Sequence, residues 1–361
     1  MAAKRRTVVV VTGSRAEFGL LDPVMRAIVG HRALRLRSVV AGAHLAQGTW
    51  RDVTAAGFAI DAKVPMQRSK TVGRDADVAA VGRGVSGFGR AFADLKPHVV
   101  VVLGDRIEAF AAASSASIGG LHLAHVHGGD RAQGVADDAM RHAISKLAHL
   151  HFAATPQSRK RLVRMGEQPR FVFNVGSPAL DGLGNVEPAT DAPQVIVIQH
   201  PIGAVDTDEC RWMRQTLQAT RGYARLIFAP NGDPGSNGVR AALKQAAVAV
   251  VEHLPRHRFL PLLAGARAIV GNGSAGLIEA AALGTACVNV GPRQAGRQRP
   301  AHVIDCDYGQ RAVRAALTRA LGLDLGRVRH PYGDGRAGQR IADLLAEIDL
   351  SAVRLRKQNC Y

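Results

Sequence analysis

The chain alternates short runs of β-branched residues with longer segments of helical periodicity that are rich in alanine and leucine. This pattern is typical of βαβ units, in which helices cover both faces of a parallel sheet. We therefore predict strands in both halves of the chain. The predicted strands are Thr7–Thr12, Arg37–Ala43, His98–Leu103, His122–His127 and Leu150–Ala154 in the first half, and Gln194–Gln199, Arg225–Ala229, Ala268–Val270 and Ala286–Val290 in the second.

The alternation is interrupted at Val175–Pro193, which is rich in glycine and proline and is predicted to link two domains. A chain of 361 residues is long enough for two domains that each bury a core. We predict a Rossmann-like N-terminal domain over residues 1–178, a Rossmann-like C-terminal domain over 179–350 and a basic tail over 351–361. The predicted fold class is α/β, with two doubly wound sheets that face an interdomain cleft. Ligands of such sheets bind outside the carboxyl ends of the strands.

The composition is that of a globular protein, with 47% apolar residues and no low-complexity tract. The longest apolar runs, such as Val8–Val11 and Val99–Leu103, are much shorter than the roughly 20 residues of a membrane span. Basic residues before the first apolar run resemble a signal peptide, but that run is short and ends in a turn, so we interpret it as a buried strand. The four cysteines form no metal-binding spacing. We expect a cytoplasmic protein with reduced thiols and no membrane partner.

The formal net charge is +18, which suggests either a polyanionic partner or an arginine-rich solvated surface. The basic residues are scattered along the chain, and aromatic residues make up only 4% of it, which leaves few platforms for stacking bases. We therefore predict no nucleic-acid partner. We expect most of the charge to be solvated and a few arginines to contact phosphate.

Two predicted strands of the first half are followed by turns that open helices. The turn Thr12–Gly19 carries Arg15, and free N–H groups at a helix start favour an anion, although a plain strand-to-helix turn is the alternative. Asp105 and Arg106 follow a later strand. Asp105 is interpreted either as a carboxylate at the ligand site, with Arg106 directed at a phosphate, or as a simple helix cap.

The segment His125–His142 has the densest set of reactive side chains in the chain. It contains His127 and Asp130 around a Gly-Gly turn, and then Asp137 at the start of a helix. Two acids and a histidine on one loop suit proton transfer. A metal site is the alternative, but the spacing matches no established zinc pattern, so we predict none.

In the second half, His200 ends a strand and precedes a proline, which holds it outside the helical region. Asn231 lies in a turn that could contact a sugar or a base. Gly273 and Ser274 lie in a Gly/Ser-rich loop before an alanine-rich helix, an arrangement whose N–H groups can hold a diphosphate. Further candidates are Glu279, as an acceptor for ribose hydroxyls, and Arg293, which follows the last predicted strand.

With these residues the chain resembles the hydrolysing UDP-N-acetylglucosamine 2-epimerases, bacterial enzymes of sialic acid and legionaminic acid biosynthesis. The resemblance extends from about Thr7 to Asp307. It rests on TGSRAEFG, LGDRIEAF, HVHGGD with DDAMRHAISKLAHLHF, FNVGSPALD, PNGDPGS, and GNGSAGLIEAAALGT with GPRQAGR. The order of these stretches makes the resemblance specific.

The resemblance implies a glycosyltransferase-B-like pair of Rossmann domains and a homodimer that needs neither NAD nor metal. It implies removal of the sugar C2 proton with loss of UDP from C1, followed by hydration to a free N-acetylmannosamine-type sugar. The family's carboxylates match Asp105 and Asp137, and its histidine matches His200. Its nucleotide contacts match Arg15, Arg106, Ser274, Glu279 and Arg293.

Several positions depart from the family pattern. His127 and Asp130 stand where the family commonly has glutamate, and Gly273 replaces a frequent serine. We count His127 and Asp130 among the catalytic candidates. The alternatives are a non-hydrolysing 2-epimerase, a glycosyltransferase on the same fold, and a nucleotide-sugar-binding protein without catalysis.

Overall fold

The structure is a computed structural model that describes residues 5–68, 73–131, 137–325 and 330–360, without the side chain of Asp137. The chain divides into two compact units. Unit 1 comprises Met1–Asp130, Ala136–Asp181 and Tyr332–Tyr361, and unit 2 comprises Arg131–Val135 and Gly182–Pro331.

Unit 1 contains a seven-stranded parallel sheet in the order β3-β2-β1-β4-β5-β6-β7. Its strands are β1 Arg6–Thr12, β2 Leu34–Ala41, β3 Ala62–Val64, β4 Val99–Leu103, β5 His122–Val126, β6 Leu150–Ala153 and β7 Val172–Asn174. Its first helices are α1 Arg15–Gly30, α2 Ala43–Ala46, α3 Trp50–Ala55, α4 Arg74–Leu95, α5 Ile107–Ile118, α6 Asp137–Leu147 and α7 Pro156–Arg164.

The valines of β1 explain why this sheet is covered on both faces. Successive side chains of a strand point to opposite faces. Val8 and Val10 pack with α1 in one core, whereas Val9 and Val11 pack with α4 and α5 in a second core. A strand buried on both sides therefore appears in the sequence as a continuous apolar run.

Unit 2 contains a five-stranded parallel sheet in the order β12-β11-β10-β8-β9. Its strands are β8 Val195–Ile198, β9 Arg225–Ile227, β10 Ala268–Gly271, β11 Ala286–Val290 and β12 Val303–Cys306. Its helices are α8 Asp206–Ala219, α9 Ser236–Gln245, α10 Arg256–Gly265, a π-helical turn Gly276–Ala280, and α11 Gln310–Leu321. A parallel bridge between Phe228 and Val251 extends the β9 edge by one position.

The predicted fold class is confirmed, since both sheets are parallel and doubly wound. All nine predicted strands are present, with ends that shift by up to three residues. The prediction missed β3, β7 and β12. Each has only three or four residues and lies at the edge of its sheet, where one side of the strand lacks a neighbour and the apolar run is short.

The structure differs from the predicted domain boundaries at the C-terminal end. The last helix, α12 Ala337–Glu347, falls within the predicted second domain, but it packs against α1 of unit 1. Ile341 and Leu345, one helical turn apart, are fully buried in the unit 1 core. Val353, in the predicted basic tail, is 4% exposed in the same core. The chain therefore returns to unit 1 after unit 2.

Within the described part of the chain, no helix combines the length and apolar character needed to cross a bilayer.

Candidate functional site

In each unit the direction of winding reverses between two neighbouring strands. β1 lies beside β4 in unit 1, and β8 lies beside β10 in unit 2. The loops that follow such a strand pair diverge to opposite faces and leave a crevice at the carboxyl edge of the sheet. Most of the candidate residues lie on the loops that leave these strands or their neighbours.

In unit 1, the loop after β5 forms a buried cluster around His127. Nδ1 of His127 lies 2.9 Å from Oδ2 of Asp130, and because a carboxylate only accepts, this nitrogen carries the proton. Nε2 lies 2.9 Å from the hydroxyl oxygen of Ser177. The hydroxyl of Ser158 donates to the other oxygen of Asp130 at 2.6 Å. Both His127 and Asp130 are buried, so their polar atoms are engaged inside the protein.

Arg141 of α6 connects this cluster to Asp105. Its guanidinium forms an ion pair with Oδ2 of Asp105 and donates to the carbonyl oxygen of His127 at 3.3 Å. It also lies 4.0 Å from Oδ2 of Asp130. Arg141 is 3% exposed, whereas the side chain of Asp105 is 19% exposed. Asp105 is therefore the more accessible of the two carboxylates that Arg141 approaches.

The backbone of this cluster is held in an unusual conformation. His127 has φ +62°, in the left-handed region that residues with a side chain seldom occupy and that is associated with functional sites. His125 stabilises the neighbouring loop, because its Nε2 donates to the carbonyl oxygen of Gly104 at 2.7 Å. Burial lowers the pKa of His125 to about 3, so its ring is neutral at pH 7.

Arg15 and Arg106 lie on the loops after β1 and β4. Nε of Arg15 donates to Asp52 of α3 at 2.7 Å, and its side chain is 31% exposed. Nε of Arg106 lies 3.4 Å from the buried carboxylate of Glu108. The side chain of Asp137 lies outside the described residues, although its backbone begins α6.

In unit 2, His200 and Asn272 link the loops after β8 and β10. The backbone N–H of His200 donates to Oδ1 of Asn272 at 2.7 Å, and Nδ2 of Asn272 donates to the carbonyl oxygen of His200 at 2.8 Å. The N–H of Asn231 donates to Nδ1 of His200 at 3.1 Å. Burial and the nearby Arg293 lower the pKa of His200 to about 3. The ring is thus neutral at pH 7, with its proton on Nε2.

The Gly/Ser-rich loop lies directly against this histidine. Gly271 has φ +138°, and a Cβ there would lie 1.9 Å from the carbonyl oxygen of Ile198, so only glycine fits. A Cβ at Gly273 would lie 3.9 Å from Nε2 of His200. Ser274, half-buried, begins the helical segment that follows. Nε2 of His200 and the start of this helix therefore lie close together, on the loops that follow β8 and β10.

Arg293 reaches the same loop from the segment after β11. Its guanidinium donates to the carbonyl oxygen of Asn272 at 3.5 Å and lies 3.7 Å from the carboxylate of Asp233. The side chain of Asn231 also donates to Asp233. Glu279 forms an ion pair with Arg256 at 2.9 Å. The structure thus brings His200, Asn231, Gly273 and Arg293 together.

Sequence reasoning missed four residues of these clusters: Arg141, Ser158, Ser177 and Glu108. Arg141 is visible in the sequence as a charged residue on the helix that Asp137 begins. Ser177 lies in the stretch predicted to be a linker, yet it is 1% exposed. No feature of the local sequence distinguishes Ser158 from an ordinary helix residue, because its role depends on a long-range contact.

Comparison with known proteins identifies the family of the chain. A family model described as UDP-N-acetylglucosamine 2-epimerase matches residues 26–346. The chain is 33% identical to a UDP-N,N'-diacetylbacillosamine 2-epimerase (hydrolyzing) of Legionella pneumophila, over 99% of this chain and 100% of that protein. It is 29% identical to a UDP-N-acetylglucosamine 2-epimerase of Neisseria meningitidis serogroup B, over 88% of each.

Similarity to a solved structure supports the same fold. The crystal structure of UDP-GlcNAc 2-epimerase from Neisseria meningitidis bound to UDP-GlcNAc aligns with a TM-score of 0.78 and 17% identity, over 95% of this chain and 100% of that chain. The family match extends over most of the sequence, and the Legionella relative aligns along nearly its whole length. The chain therefore belongs to the UDP-N-acetylglucosamine 2-epimerase family of enzymes.

Proposed function

We propose that this enzyme is a hydrolysing 2-epimerase of a UDP-2-acetamido sugar. It would convert UDP-N-acetylglucosamine or a related UDP-sugar, with water, into UDP and a free sugar inverted at C2. The observation that carries the proposal is the accessible carboxylate of Asp105, which an ion pair with the buried Arg141 holds beside His127 and Asp130. The name of the Legionella relative, a hydrolysing epimerase, supports the same reaction.

The first step needs a base that is close to the C2 proton of the sugar. This proton is weakly acidic, so a positioned base must remove it as the bond from C1 to UDP breaks. We assign this role to Asp105, because the polar atoms of His127 and Asp130 are already bonded within the protein. His127 and Asp130 then act by holding the loop and Arg141.

The same step needs groups that stabilise the charge of departing UDP. His200 is neutral and has a proton on Nε2, so it can donate to a phosphate oxygen. Arg293 and the N–H groups at Ser274 provide positive charge and further donors from the same loops. Loss of the C2 proton and of UDP leaves a double bond between C1 and C2 of the sugar, a glycal. Water then adds across this double bond. A proton that originates from solvent is added to C2 on the face opposite to the one from which the first proton was removed.

The roles of Asp105 and His200 are tested by single variants. We expect Asp105→Asn to lower kcat at least ~100-fold, the usual range for a lost acid–base group, while UDP binding persists. We expect His200→Ala to lower kcat by a similar factor, since a missing donor to developing charge costs about 10²–10³. Asp94→Asn and His257→Ala change exposed residues and are the matched controls.

Each assignment can fail independently. A near-normal kcat in Asp105→Asn would remove this carboxylate from the chemical step. A near-normal kcat in His200→Ala would remove the histidine. Loss of turnover in both variants, with UDP still bound, is what the proposed reaction requires.

The substrate is tested by comparing two UDP-sugars. UDP-N-acetylglucosamine and UDP-N,N'-diacetylbacillosamine are the compounds in the names of the two relatives. We expect both to be hydrolysed, with the larger kcat/KM identifying the physiological class. Return of a UDP-sugar without release of free sugar would indicate a non-hydrolysing epimerase. UDP release that depends on an acceptor would indicate a transferase, and binding without turnover a binding protein.

We further propose a cytoplasmic homodimer that supplies a precursor of a sialic-acid-type sugar. The support is family membership and the four cysteines, which are free in the structure. Light scattering on the purified protein tests the dimer, and a monomeric mass at micromolar concentration would contradict it.

A further inference from the structure

The side chain of Glu108 connects several loops at the carboxyl edge of the unit 1 sheet. It lies in the first turn of α5 and is fully buried. Its Oε1 accepts from the backbone N–H of Ala43 at 3.1 Å and from Nε2 of Gln67 at 2.8 Å. Ala43 follows β2, and Gln67 follows β3. Its Oε2 lies 3.4 Å from Nε of Arg106, which follows β4.

Two glycines leave the space that this carboxylate fills. A Cβ at Gly13, after β1, would lie 2.4 Å from Cβ of Glu108. A Cβ at Gly42, after β2, would lie 2.3 Å from Oε1. Gly42 also has φ +52°, which a side chain would strain. The loops after β1 and β2 are thus shaped around Glu108.

A second buried acid accompanies Glu108. Glu17 of α1 is 6% exposed, and its Oε2 accepts from the N–H of Gly13 at 2.8 Å. Burial and the adjacent Glu108 raise the pKa of Glu17 to about 7. Burying two acids costs less when one of them retains a proton near neutral pH. Glu108, the other acid of the pair, lies close to Arg106.

A purely structural role explains only one of the two oxygens of Glu108. The bonds from Ala43 and Gln67 both go to Oε1, and an amide oxygen could accept them equally well. Oε2, in contrast, faces a guanidinium whose side chain is 37% exposed. A carboxylate is needed there only if the direction of Arg106 matters.

We propose that Glu108 is a positioning residue that orients the guanidinium of Arg106 toward the diphosphate of the substrate. This inference rests on the proposed function, in which Arg106 contacts the UDP-sugar. Glu108 touches no substrate itself. It fixes the base of the arginine side chain, so that the exposed end needs little further ordering when an anion binds.

The test compares Glu108→Gln with Arg106→Ala and with the double variant. Glu108→Gln keeps the size and the acceptor at Oε1 but removes the charge beside Arg106. We expect the affinity for UDP to fall about tenfold and KM to rise by a similar factor, with kcat and thermal stability near wild type. We expect Arg106→Ala to weaken UDP binding at least as much. The double variant should bind like Arg106→Ala alone, because the two residues act as one unit.

The outcomes separate this inference from the proposed reaction. If Glu108→Gln binds UDP like wild type while Arg106→Ala binds weakly, the positioning role is wrong. If the losses of the two single variants simply add in the double variant, the coupling is also wrong. If Arg106→Ala leaves UDP affinity unchanged, Arg106 does not contact UDP and the inference falls with it. Hydrolysis of the UDP-sugar is measured separately and still decides the reaction.

Discussion

Glu167→Gln tests how the C-terminal segment is attached to unit 1. The side chain of Glu167 has no exposure. Its oxygens lie 2.8 Å from Nζ of Lys146 and 2.9 Å from Nε2 of His151, and a third bond comes from Lys357 near the chain end. The glutamine side chain of the variant lacks the negative charge that attracts the ammonium groups of Lys146 and Lys357 to this buried position.

The size of the effect follows from the pKa of this carboxyl. Although burial alone would raise it, the bonds from His151, Lys146 and Lys357 lower the pKa of Glu167 from 4.5 to about 2. A carboxyl whose pKa falls from 4.5 when unfolded to about 2 when folded contributes about 3 kcal/mol of stabilisation at pH 7. For a unit of this size, the loss should lower the melting temperature by roughly 6–12 °C.

The stabilisation contributed by Glu167 depends on pH with a defined sign. Because the pKa of Glu167 is lower in the folded state, its contribution is complete above about pH 4.5 and disappears as the pH falls toward 2. Urea unfolding of wild type and variant should therefore differ by a constant amount between about pH 5 and pH 7. The difference should shrink below pH 4.5.

Glu252→Gln is the matched control. Glu252 also pairs with an arginine, Arg240 at 3.0 Å, but its side chain is 70% exposed, so its loss should cost less than about 1 kcal/mol. If Glu167→Gln is no more destabilising than this control, the desolvation of the buried cluster offsets its charge attraction, and the stabilising role of Glu167 is wrong.

Three further predictions concern the site and its support. Arg293→Ala should weaken UDP binding about tenfold or more by calorimetry, since a charge-assisted bond is worth about 1.5–3 kcal/mol, and an unchanged affinity would remove it from the site. Gly271→Ala should destabilise unit 2 by about 3 kcal/mol in urea, because its Cβ would meet the carbonyl oxygen of Ile198; wild-type stability would contradict the clash expected in that loop. The lowered pKa of His125 keeps its ring neutral in the folded protein, so the stability that the neutral ring contributes is lost as the pH falls below 6.5. The difference in unfolding free energy between wild type and His125→Asn should therefore shrink by about 2 kcal/mol from pH 7 to pH 5. A difference that widens over this range would be the contrary result.

Most of the fold could be predicted because the buried strands have a strong local signal. β1 and β4 are continuous valine runs, and such runs have few other interpretations in a chain with helical segments between them. The return of α12 to unit 1 could not be predicted. Its apolar face identifies a buried helix, but the choice of partner depends on α1, which lies near the other end of the chain.

The candidate site was predictable where residues follow strands. Asp105, His127 and His200 were chosen as candidates because they follow predicted strands, and the structure places each of them directly after a strand of a parallel sheet. The contacts made by Arg141, Ser177 and Glu108 were not found, since each joins segments that are far apart in sequence.

The location of polar groups inside unit 1 also changes the interpretation of His127 and Asp130. The sequence places them on one loop, which suggests two groups available for proton transfer. In the structure they bond to each other and to two serines. Burial, which no short motif encodes, is what distinguishes an available base from a supporting residue.

The reaction in deuterated water tests the proposed hydrolysing 2-epimerisation. The enzyme is incubated separately with UDP-N-acetylglucosamine and UDP-N,N'-diacetylbacillosamine, and the products are followed by NMR and mass spectrometry. The expected products are UDP and a free 2-acetamido sugar inverted at C2, with one deuterium at that carbon. A free sugar that keeps its hydrogen at C2, or UDP-sugar that is recovered unchanged from both reactions, would contradict the proposed reaction.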